Sequence, residues 1–233
     1  MISLPRLYAI VDPSAQASTQ DLVAYAEELV AGGCTLLQYR NKSGNARVML
    51  EQARQWRRLF PACADAVSHS NAEENVALRQ AQGRPLEWAT HSLRLIMNDR
   101  ADLCLAAEFD GVHVGQEDLS PDAVRGIIGP DRWLGVSTHN PEQLREADLT
   151  SADYLAIGPV FATSSKDKPD PMVGLEGVRR ARTLTRKPLV AIGGITRANA
   201  ASVIEAGADS VAVISDLLRE PRKSAEEFFR ILR

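Results

Sequence analysis

Eight short apolar or β-branched runs, alternating with helix-spaced segments over 233 residues, predict an α/β fold: a (β/α)8 TIM barrel in one domain, residues 1–233. The count argues for closure, since a doubly wound open sheet more naturally carries five or six strands. Length agrees, because α/β barrels of this size are commonly undivided. The polar residues also sort to one side, gathering after the runs, where such barrels keep their reactive groups.

In order, the runs are LYAIV from Leu7, CTLLQYR from Cys34, LRLIM from Leu93, GVHVG from Gly111, WLGVS from Trp133, YLAIG from Tyr154, LVAIGG from Leu189 and SVAVIS from Ser210. Between most of them lie segments of helical spacing: DLVAYAEELVAGG, ARVMLEQARQWRRLF, RADLCLAAEF, PEQLREADL, LEGVRRARTL and ANAASVIEAGA. Many open on Ser, Thr, Asp, Asn or Pro and close on Gly. One stretch, about 61–92, is too long for an ordinary αβ connection. Ser70 with Glu73 fits a capping box, NAEENVALRQA is helix-prone, and Gly83 with Pro85 ends it, which predicts a helical insertion between the second helix and third strand. It belongs to the face opposite the reactive ends, so a surface elaboration or subunit contact is favoured over a lid, and His69 and His91 are given no role.

Composition narrows the function classes. A net charge of −3 with 24% charged residues gives no nucleic-acid-binding surface. The start MISLPRLYAIVDPS lacks a signal-peptide pattern, and no apolar stretch spans a bilayer, so no membrane partner and a cytoplasmic location are expected. Cys34, Cys63 and Cys104 lack metal-type spacing and read as reduced, mostly buried thiols.

The strand ends carry the chemistry. Gln38, Arg40 and Lys42 share one strand face while Tyr39 and Asn41 point away, and two adjacent cations call for an anion between them. Asn98 and Asp99 follow the third run, Asp118 the fourth and Ser137 the fifth; GPVFATSSK after the sixth supplies Thr163, Ser165 and Lys166. Gly193 and Gly194 permit close backbone approach, and Ile214 and Ser215 open a helical turn, which together make a phosphate cup; tight turns are the plainer alternative. Asp99 and Asp118 beside cations suit Mg²⁺ held between protein and polyphosphate, with capping of the next helix and pairing to Arg100 the alternative for Asp99. Two phosphate sites imply two small-molecule substrates. With neither a Ser–His–acid set nor a Cys nucleophile at a strand end, the expected chemistry is electrostatic. His113, on a strand, reads as a satisfied structural side chain, and His139 stays open between structure and site.

The motifs QYRNK, MNDR, GVHVGQED, GVSTH, GPVFATSSK, VAIGGI and VAVIS, in this order over nearly the whole chain apart from the insertion, resemble the thiamine phosphate synthase family. The resemblance implies a barrel transferase that joins a hydroxymethylpyrimidine diphosphate to a thiazole phosphate, with magnesium as cofactor, giving thiamine monophosphate and diphosphate. It implies that Gln38, Arg40, Lys42, Asn98, Ser137 and Lys166 hold the pyrimidine diphosphate, with Asp99 and Asp118 on the metal. Thr163, Ser165, Gly194, Ile214 and Ser215 would hold the thiazole phosphate. Tyr39 and Asn41 are counted with the substrate-binding run, and Arg40, Lys42, Ser137 and Lys166 with the catalytic groups. The implied mechanism is dissociative, with a thiazole nitrogen capturing a methylene cation. Ala162 stands where the family often has proline, and Ser165 replaces the usual threonine but keeps its hydroxyl. The insertion bears on oligomer contacts, a homo-oligomer being possible. Two alternatives remain: a thiazole tautomerase-like relative, which would lack the need for Asp99, Asp118 and Lys166, and a non-catalytic barrel that binds thiamine phosphates.

Overall fold

The computed structural model describes residues 2–13, 19–61, 93–163 and 170–233. Eight parallel strands pair each with the next and the eighth with the first, closing the barrel: β1 Leu7–Val11, β2 Leu36–Tyr39, β3 Arg94–Asn98, β4 Gly111–Val114, β5 Trp133–Thr138, β6 Tyr154–Ile157, β7 Leu189–Ile192 and β8 Ser210–Val213. Helices follow them: α1 Thr19–Ala31, α2 Ala46–Leu59, α3 Ala101–Ala106, α4 Pro121–Ile128, α5 Pro141–Asp148, α6 Gly174–Leu184, α7 Ala200–Glu205 and α8 Pro221–Ile231, with a 3₁₀ turn Ser215–Leu217 before α8. The TIM-barrel expectation holds. The expected insertion, with Ser70, His69 and His91, falls almost wholly outside the described residues, as does Cys63. Among the described residues no helix is long and apolar enough to cross a membrane.

Local chemistry sets the helix starts. Asn45 and Asn140 accept from the backbone N–H three residues on, at 3.2 and 2.9 Å, and Ser120 does the same at 3.4 Å. Pro121 and Pro141 sit at first helical positions, where a missing N–H costs nothing. The helices α4 and α8 are not among the segments singled out from the sequence, although α4 carries a serine cap, an opening proline and a closing Gly129 at φ 77°.

Period-two alternation divides the core into two regions. Leu7, Ala9, Val11, Leu37, Tyr39, Leu95 and Met97 face the helices, while Tyr8, Ile10, Leu36, Ile96, Tyr154 and Val190 fill the barrel interior. Cys34 and Cys104 are buried free thiols, and burial pushes the Cys104 thiol up to about 12.

The N-terminal face is stapled by a repeated device. Asp110, Asp153 and Asp209, each just before an even-numbered strand, accept the N–H of Leu95, Leu134 and Leu189 at 2.8 Å. Each also takes an arginine from the helix layer: Arg57 at 2.8 Å, Arg125 at 2.6 Å and Arg182 at 2.8 Å. The first pair is the most enclosed, both side chains being 10% exposed. Asp110→Ala therefore leaves a buried guanidinium without its counter-ion and a strand N–H without its acceptor, and should lower the free energy of unfolding by about 3–5 kcal/mol. Urea denaturation checks this, with Asp209→Ala, whose carboxylate is the more exposed, expected to cost less.

Candidate active site at the C-terminal mouth

Inward-facing positions at the strand ends converge on the mouth. Asp12, two residues past Ile10 on β1, is 8% exposed and binds Arg40 through a short ion pair. Lys42 makes a second short pair with Asp99. The two neighbouring cations thus each hold a carboxylate of the protein's own, and both remain at the rim, Lys42 with 55% of its side chain exposed. Asp12 was not singled out from the sequence; the signal was an aspartate directly after the first strand, in LYAIVD.

Asp99 adopts φ 62°, a left-handed conformation at a non-glycine residue, between the bonds Asp99 N–H to His113 O and Arg100 N–H to Asn98 O, both 2.8 Å. The capping alternative is overturned: Arg100 occupies the N-cap position of α3 with no side-chain cap, and its guanidinium pairs with Asp102. Asp99 instead meets Lys42 and lies close enough to Asp118 for the carboxylates to interact. Burial raises the Asp99 carboxyl above its ordinary value, Lys42 opposes this, and Asp118 adds to it. Asp118 is itself anchored, accepting the Gly115 N–H at 2.7 Å. Among the described residues no group of three or more His, Cys, Asp or Glu assembles, so the donor set is a carboxylate pair. Two hard oxygen donors that repel each other fit Mg²⁺, which takes one or two protein carboxylates and fills its remaining positions with water and phosphate oxygens.

Gln38 and Asn98 also point inward, 2% and 8% exposed. Asn98 Nδ2 is buried and meets no partner among the described residues, a polar atom that a substrate edge would satisfy. Tyr39 and Asn41 do not reach the mouth. Tyr39 is fully buried with its ring edge-on to Trp56, and its hydroxyl donates to Gln52 on α2. Asn41 donates to Tyr39 Oη at 2.9 Å and to Gln52 Oε1 at 3.1 Å. Strand alternation turns both side chains toward the helix layer, where they anchor the loop that carries Arg40 and Lys42.

Ser137 is held by His113: Nε2 lies 2.8 Å from the hydroxyl, and Nδ1 lies 3.1 Å from Tyr154 Oη. Both ring nitrogens are thus satisfied, as the structural reading of His113 expects, and one of the partners is a residue of the mouth. Burial lowers its pKa to about 4, so the imidazole is neutral. Gln116 Nε2 donates to the Ser137 carbonyl at 2.6 Å. His139 joins the loops after β5 and β6, with Nδ1 2.6 Å from Gly158 O and Nε2 3.5 Å from Asp170.

On the opposite side of the mouth, Gly193 and Gly194 have φ 99° and 63°. A Cβ on Gly194 would lie 2.4 Å from the Ala162 carbonyl, so the glycines admit the β6 loop as well as a left-handed turn. The 3₁₀ turn opens at the exposed Ser215, directly after Ile214. Asp216 accepts the Arg197 backbone N–H at 2.8 Å and its Nε at 3.0 Å, tying the loops after β7 and β8 together. Thr163 lies at the end of the described β6 loop, while Ser165 and Lys166 fall outside the described residues.

Fold and site together define a (β/α)8 barrel enzyme with a charged mouth of paired carboxylates, basic side chains and glycine-rich turns. A family model described as thiamine monophosphate synthase matches residues 7–67 and 66–217. A thiamine-phosphate synthase of Koribacter versatilis is 53% identical over 99% of this chain and 97% of its own length. One from Chloroflexus aurantiacus is 40% identical over 90% of this chain and 83% of its own. The solved structure of thiamine phosphate pyrophosphorylase from Pyrococcus furiosus superposes with a TM-score of 0.76 at 30% identity, covering 97% of this chain and 95% of that one. The chain belongs to the thiamine monophosphate synthase family.

Proposed function

We propose that this mouth carries out the family's transfer: a hydroxymethylpyrimidine diphosphate is joined to the nitrogen of a thiazole phosphate, giving thiamine monophosphate and diphosphate. The observation that carries the reading is the mutually repelling pair Asp99 and Asp118, with Lys42 held on Asp99. A non-catalytic binding barrel or a tautomerase has no use for such a pair.

In this reading Arg40, Lys42, Ser137 and Lys166 hold the diphosphate, and Gln38 and Asn98 address the pyrimidine edge, where the orphan amide of Asn98 finds its acceptor. Asp99 and Asp118 would hold Mg²⁺, which when bound supplies positive charge to the departing group. The methylene C–O bond breaks, and the electron pair leaves with diphosphate. The aminopyrimidine stabilises the cation, and the thiazole nitrogen lone pair forms the new C–N bond without a base. Thr163, Ser165, Gly194, Ile214 and Ser215 hold the thiazole phosphate. Arg40 and Lys42 release their own carboxylates as the phosphates arrive, so the Arg40–Asp12 and Lys42–Asp99 pairs keep these two cations placed without substrate.

Purified protein given both substrates and Mg²⁺ should release thiamine monophosphate and diphosphate in equal amounts, measured by chromatography and phosphate release. Tight binding of thiamine monophosphate with no turnover would favour the binding barrel instead.

A further inference from the structure

A line of buried hydrogen bonds crosses the barrel from β2 to β5. Gln38 Nε2 donates to Tyr8 Oη at 2.8 Å. Tyr8 Oη lies 3.0 Å from Tyr154 Oη, which lies 3.1 Å from His113 Nδ1; His113 Nε2 lies 2.8 Å from Ser137 Oγ. Tyr8 and Tyr154 are 1% and 0% exposed, and burial raises both phenols above their ordinary value, so each keeps its single proton.

Proton counting gives the line one direction. The Tyr8 oxygen already accepts from Gln38, so its own proton goes to Tyr154. The reverse sense would set donors on both sides of Tyr8 and leave its proton without an acceptor. Tyr154 then donates to His113 Nδ1, and a neutral imidazole that accepts at Nδ1 carries its hydrogen on Nε2. Ser137 Oγ accepts that hydrogen, which leaves the serine's own O–H to point into the mouth. A hydroxyl fixed in this sense is a donor to an anion; one turned the other way would present lone pairs to it.

Gly135 belongs to the same device. It pairs with His113 in the β4–β5 register, and a Cβ there would lie 2.1 Å from Tyr154 Cζ and 2.4 Å from both Tyr154 Oη and His113 Nδ1. The space occupied by the tyrosine–histidine contact exists because this position has no side chain.

We infer that Tyr8, Tyr154 and His113 are positioning residues that hold the Ser137 hydroxyl as a one-way hydrogen-bond donor to the departing diphosphate. No proton is transferred along the line. The diphosphate end of this statement rests on the proposed function; the direction of the line does not.

Two measurements on the full chain test it separately. Nitrogen-15 NMR of histidine-labelled protein should show His113 neutral with its hydrogen on Nε2, and a hydrogen on Nδ1 would overturn the direction whether or not the protein is a synthase. Titration with inorganic pyrophosphate and Mg²⁺ then reads the action through Ser137. Tyr154→Phe should weaken pyrophosphate binding about tenfold, in the range of one charge-assisted hydrogen bond, and Ser137→Ala at least as much. Tyr154→Phe added to Ser137→Ala should cost nothing further, because the serine through which it acts is gone. Costs that add in the double variant would show a merely structural tyrosine and overturn the inference. If Tyr154→Phe melts early, Tyr8→Phe replaces it in the same cycle. Wild-type protein that ignores pyrophosphate would sink the proposed function and the diphosphate role together, leaving the NMR result to judge the line itself.

Discussion

Asp118→Asn should lower kcat by about 10²–10³-fold, the range found when one preorganised electrostatic group is removed from a transition state. The substitution leaves the fold alone. Asp118 is exposed, and an asparagine Oδ1 can still accept the Gly115 N–H, so unfolding free energy should stay within about 0.5 kcal/mol. The sign without metal runs the other way from activity: Asp118 disfavours the ionised Asp99, and the neutral amide relieves that repulsion. Metal-free Asp118→Asn protein should therefore melt no lower than wild type, while the Mg²⁺ stabilisation expected of wild type should shrink or vanish. Scanning calorimetry with and without Mg²⁺, beside steady-state rates, separates this from unfolding. An active Asp118→Asn enzyme with undiminished Mg²⁺ stabilisation would remove the carboxylate pair from the chemistry. Asp99→Asn should lose at least as much rate, since it also releases Lys42, and its left-handed backbone tolerates asparagine.

The barrel was legible because each strand carries an apolar run and most are followed by a polar residue. Gln38, Asn98 and Ser137 lie inward at the mouth as period two requires, and the same rule placed Tyr39 and Asn41 outward. Asp12 went unread since its role depends on Arg40, twenty-eight positions along the chain and adjacent only once β1 and β2 pair. The His113–Ser137 contact is hidden in the same way: each residue looks ordinary on its own strand, and only the β4–β5 register, which sets Gly135 opposite His113, brings them together. The N-terminal staples were more accessible, because aspartates recur just before β4, β6 and β8, a repeat of two βα units. What they bind, a strand N–H and an arginine from the helix layer, needed the closed barrel to appear.

Gly135→Ala should be among the most damaging single-methyl additions in this chain. Ordinary overpacking costs about 1–3 kcal/mol, because neighbours shift to admit the extra carbon. Here the new Cβ would fall 2.1 Å from an aromatic carbon, and the tyrosine it strikes is fully buried within a closed sheet. The ring cannot yield by bending at a flexible end. It must tilt, and tilting breaks the contact to His113 on one side or to Tyr8 on the other. The expected result is a loss of stability at or above the upper end of that range, seen in urea denaturation, with turnover falling further than the unfolded fraction explains. A compensating change divides the two effects. Gly135→Ala with Tyr154→Leu removes the struck ring atoms, and should recover part of the stability. It should not recover turnover, because leucine has no hydroxyl to offer His113 and the serine beyond it loses its fixed orientation. If activity returns in step with stability, glycine at this position serves packing alone, and the serine needs no upstream partner to meet its substrate.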